Sequence, residues 1–421
     1  MPELNGMCSI TRRNFLKIAG AAAGSLAIPA ALFALESEGK GTGIPLKIGV
    51  VLPRSKEYPL MSENFMAGMG LCLDGNAKSC GGLQFLREES VTPLPHSSLK
   101  KLVEEDRVDL AVCLANSGAA SALDDYFPGT PLIVSNVGEC MVREVDFYPS
   151  TFHCTLNYWQ SNWAMGRWAA LHLGKRAFIA ASLFESGYDS VYAFHLGFES
   201  LGGTIVDTHV SYNGPGTEYP AVVIAAIRDK SPDFVFALYS GREAVDFVAA
   251  FASSGLAGRL PLTGSPFLVD EGILKEHGIL ACGTKSCFPW TAALQSADNR
   301  AFAAAFRAKT GRMPDAFAVL GYDTAGLIAS ALKDVGNTYA KGSMVAALGH
   351  AEVVSPRGLL KMDSRTNTIA GPLYLREVRT GADGPENAAV GRMDIVSELD
   401  GRVSNLRIAL RTGWHNAYMC A

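Results

Sequence analysis

Val108-Asp109-Leu110-Ala111-Val112-Cys113-Leu114-Ala115-Asn116-Ser117-Gly118 is the stretch that decides the fold. From Leu110 to Ala115 the residues are apolar on both faces of an extended segment. A strand with one wet face alternates, whereas a strand of a parallel sheet, covered by helices on both sides, does not. The run stops in a small polar loop, and Ala119–Tyr126 then reads as a helix. Strand, short loop and helix form the unit of an open α/β sheet with right-handed crossovers.

The same grammar extends in both directions. Strands are expected at Leu46–Leu52, Leu83–Arg87, Pro131–Ser135, Arg176–Phe184, Thr204–Ser211, Asp233–Tyr239 and Ile279–Ser286. Between them fall helical stretches at Glu63–Leu73, Ser98–Glu105, Ser161–Leu173, Ser190–Leu201, Tyr219–Asp229 and Arg242–Ser253. The rhythm pauses at Tyr148–Asn157 and restarts, which fits two consecutive lobes better than one long sheet. After Trp290 it turns helical, over Asp298–Lys309, Asp315–Asp334 and Tyr339–Leu348. Asp298 reads as an N-cap, with Phe302 and Phe306 one turn apart on the buried side. Strand-like pieces close the chain at Gly358–Met362, Leu373–Val378 and Arg392–Ser397. The expected fold is α/β, with two doubly wound parallel-sheet lobes. No repeat, low-complexity tract or charge block interrupts it.

The first residues read as an address. Thr11-Arg12-Arg13-Asn14-Phe15-Leu16-Lys17 precedes Ile18–Leu35, a mildly apolar stretch of small residues. That order is an export signal of the twin-arginine type, expected over 1–34 with a flexible linker over 35–43. The stretch is short for a membrane span and is broken by Gly20, Gly24 and Pro29. Cys8 lies upstream of it and so is no lipid-bearing cysteine. The mature chain is expected in the periplasm.

The whole chain carries 37 basic and 41 acidic residues; without Arg12, Arg13, Lys17 and Glu3 the balance is 34 to 40, a net of −6. An acidic surface argues against nucleic acid or anionic membrane as partners. Cys72, Cys80, Cys113, Cys140, Cys154, Cys282, Cys287 and Cys420 form an even set in an oxidising compartment. Proximity suggests the pairs Cys72–Cys80, Cys140–Cys154 and Cys282–Cys287. Buried thiols acting as small hydrophobes are the alternative. No Cys-x-x-Cys or His-x-x-x-His pair offers adjacent metal ligands, so neither metal nor cofactor is expected.

An exported enzyme is the competing class. A dinucleotide site wants Gly-x-Gly-x-x-Gly after the first strand, where this chain has Pro53-Arg54-Ser55-Lys56-Glu57-Tyr58. Gly39-Lys40-Gly41-Thr42 lacks the first glycine of a phosphate loop, because Ala34 stands there. Ser117, Ser186 and Ser240 each precede a glycine, but none lies in Gly-x-Ser-x-Gly. None of these motifs is complete, so no catalytic step is expected.

Five stretches carry a resemblance to a known family. They are Leu46-Lys47-Ile48-Gly49-Val50-Val51-Leu52-Pro53, Val108–Gly118 and Pro131-Leu132-Ile133-Val134-Ser135-Asn136, then Leu320-Gly321-Tyr322-Asp323-Thr324-Ala325, and finally Pro356-Arg357-Gly358 followed by Pro372–Val378. In order, over residues 44–380, they resemble the type I periplasmic solute-binding proteins, especially the branched-chain amino-acid (Leu/Ile/Val) receptors of ABC importers. The resemblance implies two lobes joined by three crossing segments: 44–156 with 290–352, and 157–289 with 353–421. It implies a small amino-acid-like or carboxylic-acid ligand in the cleft and an ABC permease as partner. A membrane sensor served by the same fold is the alternative.

Open parallel sheets bind ligands beyond the carboxyl ends of their strands, so the strand-end loops are the candidate site. Asn116, Ser117, Gly118 and Ala119 offer amides and a hydroxyl at a helix start, suited to a carboxylate; Ser117 as a plain helix cap is the alternative. Ser135, Asn136 and Glu139 follow the next strand, where Glu139 either accepts an ammonium or is a solvated loop carboxylate. Tyr188 and Tyr239 are expected to close over the ligand, or else to pack between the lobes. Trp159 and Trp290 lie near crossovers and either wall the cleft or belong to a core. The resembling amino-acid receptors often hold the ammonium with an acid in a second-lobe loop. Here that loop reads Thr263-Gly264-Ser265-Pro266-Phe267-Leu268, which puts a ligand without an ammonium on equal terms.

Overall fold

The computed structural model describes residues 46–393 apart from 57, 77–79, 81, 91–94, 116–128, 142–146, 187–188, 213–218 and 337–338. The export-signal and linker readings, Ala119–Tyr126, Cys420 and the end of the Arg392–Ser397 strand lie outside the described residues. Among the described residues no helix is long and apolar enough to cross a membrane.

Two sheets organise the chain. The first contains β1 (Leu46–Pro53), β2 (Leu83–Ser90), β3 (Leu110–Leu114), β4 (Leu132–Asn136) and β5 (Thr151–Thr155), and it gains β11 (Glu352–Ser355), β12 (Gly358–Asp363) and β13 (Thr368–Ala370). The second contains β6 (Arg176–Ser182), β7 (Thr204–Ser211), β8 (Phe234–Leu238), β9 (Leu262–Gly264) and β10 (Lys285–Phe288), with β14 (Leu373–Gly381) and β15 (Gly384–Met393). The orders are β11-β12-β13-β5-β4-β3-β1-β2 and β15-β14-β10-β9-β8-β6-β7. Both sheets share one winding, 2-1-3-4-5 through the parallel strands, without any repeat in the sequence. Antiparallel strands close one edge of each, so the sheets are mixed rather than purely parallel.

β3, β4, β5 and β8 are buried along their whole length, as continuous apolar strands under helices should be. Helix α1 (Met61–Gly75) packs on α5 (Ala316–Val335) in the first lobe; α2 (Tyr158–His172) packs on α3 (Asp189–Glu199) in the second. Helix α4 (Ala297–Thr310) precedes α5 and buries Phe302 and Phe306. Both helix pairs meet through glycines. A Cβ on Gly321 would stand 1.9 Å from the Phe65 carbonyl oxygen, and one on Gly197 2.1 Å from that of Trp163. No side chain fits there.

Several expectations need correction. The pause at Tyr148–Asn157 contains β5, whose Thr, His and Cys residues mask a buried strand. Ile279–Ser286 is extended only from Lys285, and Gly278–Ala281 is a tight 3-10 turn that leaves Ile279 exposed. The N-cap of α4 is Ser296, whose hydroxyl accepts from the Asn299 amide at 3.2 Å; Asp298 lies inside the first turn. Residues 352–370 were expected with the second lobe, but β13 pairs parallel to β5 and carries β11 and β12 into the first sheet. Cys72, Cys80, Cys154, Cys282 and Cys287 are free thiols, so none of the three suggested disulfides is formed. Burial raises the Cys72, Cys154 and Cys287 thiols to about 12, which suits small hydrophobes in a core.

Candidate functional site

Over the described residues the chain passes between the sheets three times: after Thr155, after Phe288 and after Ala370. Buried arginines fasten two of these crossings. Arg357, in the turn between β11 and β12, donates from Nη2 to the Thr155 carbonyl at 3.0 Å and from Nε to Asp323 of α5 at 2.6 Å. Its own carbonyl accepts from Tyr374 Oη at 3.0 Å, just beyond the third crossing. Arg376 of β14 donates to the Trp290 carbonyl at 3.3 Å in the second crossing. Both side chains are buried; Arg357 Nη1 has no partner among the described residues, while the donors named here and those of Arg376 to Ser286 meet oxygen acceptors, which offsets much of the cost of burying the charge.

In a 2-1-3-4-5 sheet the ligand crevice lies beyond the carboxyl ends of the strands where the winding reverses. In the second lobe that point lies between β6 and β8. Glu185, just after β6, is buried there. Its Oε2 accepts from Tyr158 Oη at 3.1 Å, its Oε1 accepts from Ser240 Oγ, and its amide donates to Ser182 Oγ at 3.1 Å. Ser240 stands at the N-cap of the helix Gly241–Ser253 but makes no side-chain cap; its hydroxyl donates to Glu185. The first crossing supplies Tyr158, whose amide donates to Val137 O at 2.9 Å while that of Trp159 donates to Gly138 O at 2.8 Å. The loop after β4 is thus seated on the start of α2.

Rings line the seam between the two sets of strand ends. Phe267, following β9 in the second lobe, packs on Tyr58 of the loop after β1 (centroids 6.2 Å), Tyr158 (5.4 Å) and Phe288 (6.0 Å). Tyr58 in turn meets Phe317, in the first turn of α5, at 5.6 Å. Phe267 therefore belongs by sequence to the second lobe and by packing to the first-lobe core. Ser265 beside it is buried, and its Oγ meets no partner among the described residues.

The expected site residues divide. Asn116, Ser117, Gly118, Ala119 and Tyr188 lie outside the described residues. Ser135 is buried and shares a hydrogen bond with Thr324 Oγ1 of α5 at 2.8 Å. Asn136 is buried at the end of β4; its Oδ1 accepts from the Gly138 amide at 2.9 Å, while Nδ2 has no partner among the described residues. Glu139 is buried, which removes the solvated-carboxylate alternative. Tyr239 packs within the second lobe, stacked on Phe247 at 4.7 Å with its hydroxyl 3.0 Å from Ser211 Oγ. Trp159 joins the second-lobe core, and its indole N–H is unpartnered among the described residues. Trp290 is buried at the second crossing and donates to Asn299 Oδ1 at 2.8 Å. Tyr58, Tyr158, Glu185 and Phe267 were not singled out from sequence. A carboxylate directly after an apolar strand was the available signal for Glu185. No grouping of His, Cys, Asp and Glu able to hold a metal occurs among the described residues.

Two lobes of identical winding, three crossings between them and a ring-lined seam at facing strand ends define a two-lobed solute receptor. The chain belongs to the periplasmic binding protein family, whose model matches residues 96–385, more than half of its length. It is 26% identical over 352 residues to the Leu/Ile/Val-binding protein homolog 6 of Brucella melitensis, covering 80% of this chain and 89% of that one. An ABC transporter substrate-binding protein from Sphaerobacter thermophilus superposes with a TM-score of 0.76 at 27% identity, covering 83% of this chain and 98% of that one. An ABC transporter solute-binding protein from R. palustris, solved with benzoate, gives 0.70 at 27% identity, covering 83% and 96%. The chain is a solute-binding receptor of the importer type.

Proposed function

We propose that this receptor traps a small carboxylic acid with an aromatic body and no ammonium group, and delivers it outside the cytoplasmic membrane to an ABC permease. One observation carries the reading. The second-lobe loop at 263–268, which carries no acid, contributes Phe267 to a ring cluster with Tyr58, Tyr158 and Phe288. A ring ligand gains from such a wall by area and by edge-to-face contact, whereas an α-ammonium gains nothing from it. The benzoate carried by the R. palustris relative is of this class. Asn136 Nδ2 is the donor we assign to the ligand carboxylate, together with the Ser117 hydroxyl and the amides of Gly118 and Ala119. A buried amide donor left unsatisfied is costly, and an anion would repay that cost. The role is transport, with no catalytic step.

Calorimetric titration with benzoate, cyclohexanecarboxylate and leucine tests the reading. Benzoate is expected to bind most tightly, and Phe267→Ala to weaken it by about tenfold, the scale of one well-placed ring contact. Tighter binding of leucine than of benzoate would overturn it.

A further inference from the structure

We propose that Arg376 is a positioning residue: it couples the loop that carries Phe267 to the second crossing, so that hinge rotation sets where that ring stands. This rests on the reading that Phe267 faces the ligand. The guanidinium is 1% exposed. Nη2 donates to the Pro266 carbonyl at 3.0 Å, one residue before Phe267, and Nη1 donates to the Trp290 carbonyl at 3.3 Å. Nε and Nη2 both reach Ser286 Oγ in β10, at 3.2 and 3.0 Å. The plane lies over the Phe288 ring, 5.0 Å from its centroid. Phe288 is itself a neighbour of Phe267.

One rigid fork thus spans the ligand loop, the last strand before the crossing and the crossing itself. Glu271 completes the clamp. It stands 3.9 Å from Arg376 Nη1, accepts the Ala292 amide on Oε1 at 3.2 Å and accepts from Asn387 Nδ2 on Oε2. The pair therefore brackets Trp290 to Ala292, the start of the second crossing. A planar guanidinium holds carbonyls in fixed relative directions; an ammonium at the same place is a point charge that enforces none. Arg376→Lys separates geometry from charge for that reason.

The test uses the whole mature protein. A 4-fluorophenylalanine placed at 267 is expected to give one narrow fluorine resonance without added ligand, and a shifted or broadened one after Arg376→Lys. An unchanged resonance in a folded Arg376→Lys protein overturns the proposal. Benzoate titration of Arg376→Met, Phe267→Ala and the double variant supplies the second arm. Arg376→Met is expected to cost about tenfold in affinity, and less than about twofold when position 267 is already alanine. Additive losses would show that Arg376 acts elsewhere. If Phe267→Ala alone leaves benzoate binding untouched, the aromatic-ligand reading fails instead, while the fluorine arm still decides the coupling. Should Arg376→Met fail to fold, Glu271→Gln removes the other half of the clamp and is expected to change the same resonance.

Discussion

Asp270 precedes the clamp residue Glu271, and its carboxyl is raised from the ordinary 3.8 to about 7. Burial is the largest cause; repulsion from Glu271 and Asp315 adds to it, and the Gly272 amide and Arg376 offset part. Below about pH 4 the group is protonated both folded and unfolded. Between 4 and 7 the unfolded chain releases the proton while the folded one keeps it, so stability falls as pH rises through that window. Urea unfolding of the Asp270→Asn variant at pH 4 to 8 is expected to show a shallower fall than the native chain. Equal slopes would assign the loss to other groups. The same residue scale limits what can be read from sequence. Thr263-Gly264-Ser265-Pro266-Phe267-Leu268 announces the missing acid openly. Nothing local announces that Glu185, Tyr158 and Ser240 meet, because they are 27 and 55 residues apart in pairs.

At the scale of elements, the glycines with least room for a side chain among the described residues lie where helices meet. A Cβ on Gly68 would meet the Ala318 carbonyl oxygen at 1.9 Å, and one on Gly321 the Phe65 carbonyl oxygen at the same distance. Neither contact relaxes unless α1 and α5 move apart, since the obstacle is backbone. Gly321→Ala is expected to cost about 3 kcal/mol in stability, at the upper end of overpacking penalties. Gly342, which has nothing within 4 Å of its would-be Cβ, is the control, and its alanine variant is expected to change stability by less than about 1 kcal/mol. Equal melting temperatures for the two variants would mean that the helix contact yields. The hydrophobic pattern located these helices well: α1 buries one face over several turns, and α5 is a long apolar run buried nearly all round. It located β5 and the start of β10 poorly. A five-residue strand with Thr and His, or an apolar turn such as Gly278–Ala281, carries no decisive period.

For the whole molecule, the packing of Phe267 from the second lobe against Tyr58 of the first has a consequence for motion. A ligand that touches both walls favours the closed arrangement by its differential affinity for it. Small-angle scattering at saturating benzoate is expected to give a smaller radius of gyration than the ligand-free protein. The same radius in both states, with binding confirmed by calorimetry, would mean that the lobes do not hinge at these crossings.

By itself the sequence determined the α/β class, the two-lobe division and the absence of an acid in the loop after β9. Burial on both faces and helical periodicity are local properties, legible in a window of ten residues. Tertiary structure decided which sheet receives 352–370, because an edge strand pairs wherever an open edge lies, and β5 offers one. It also decided that the thiols stay apart. The hinge anchors were beyond local reading for the same reason: Arg357 and the Thr155 carbonyl that it holds are 202 residues apart, and Arg376 and the Pro266 carbonyl are 110 apart. A buried guanidinium is tolerated only where distant carbonyls converge on it, and that convergence exists only once both sheets have formed.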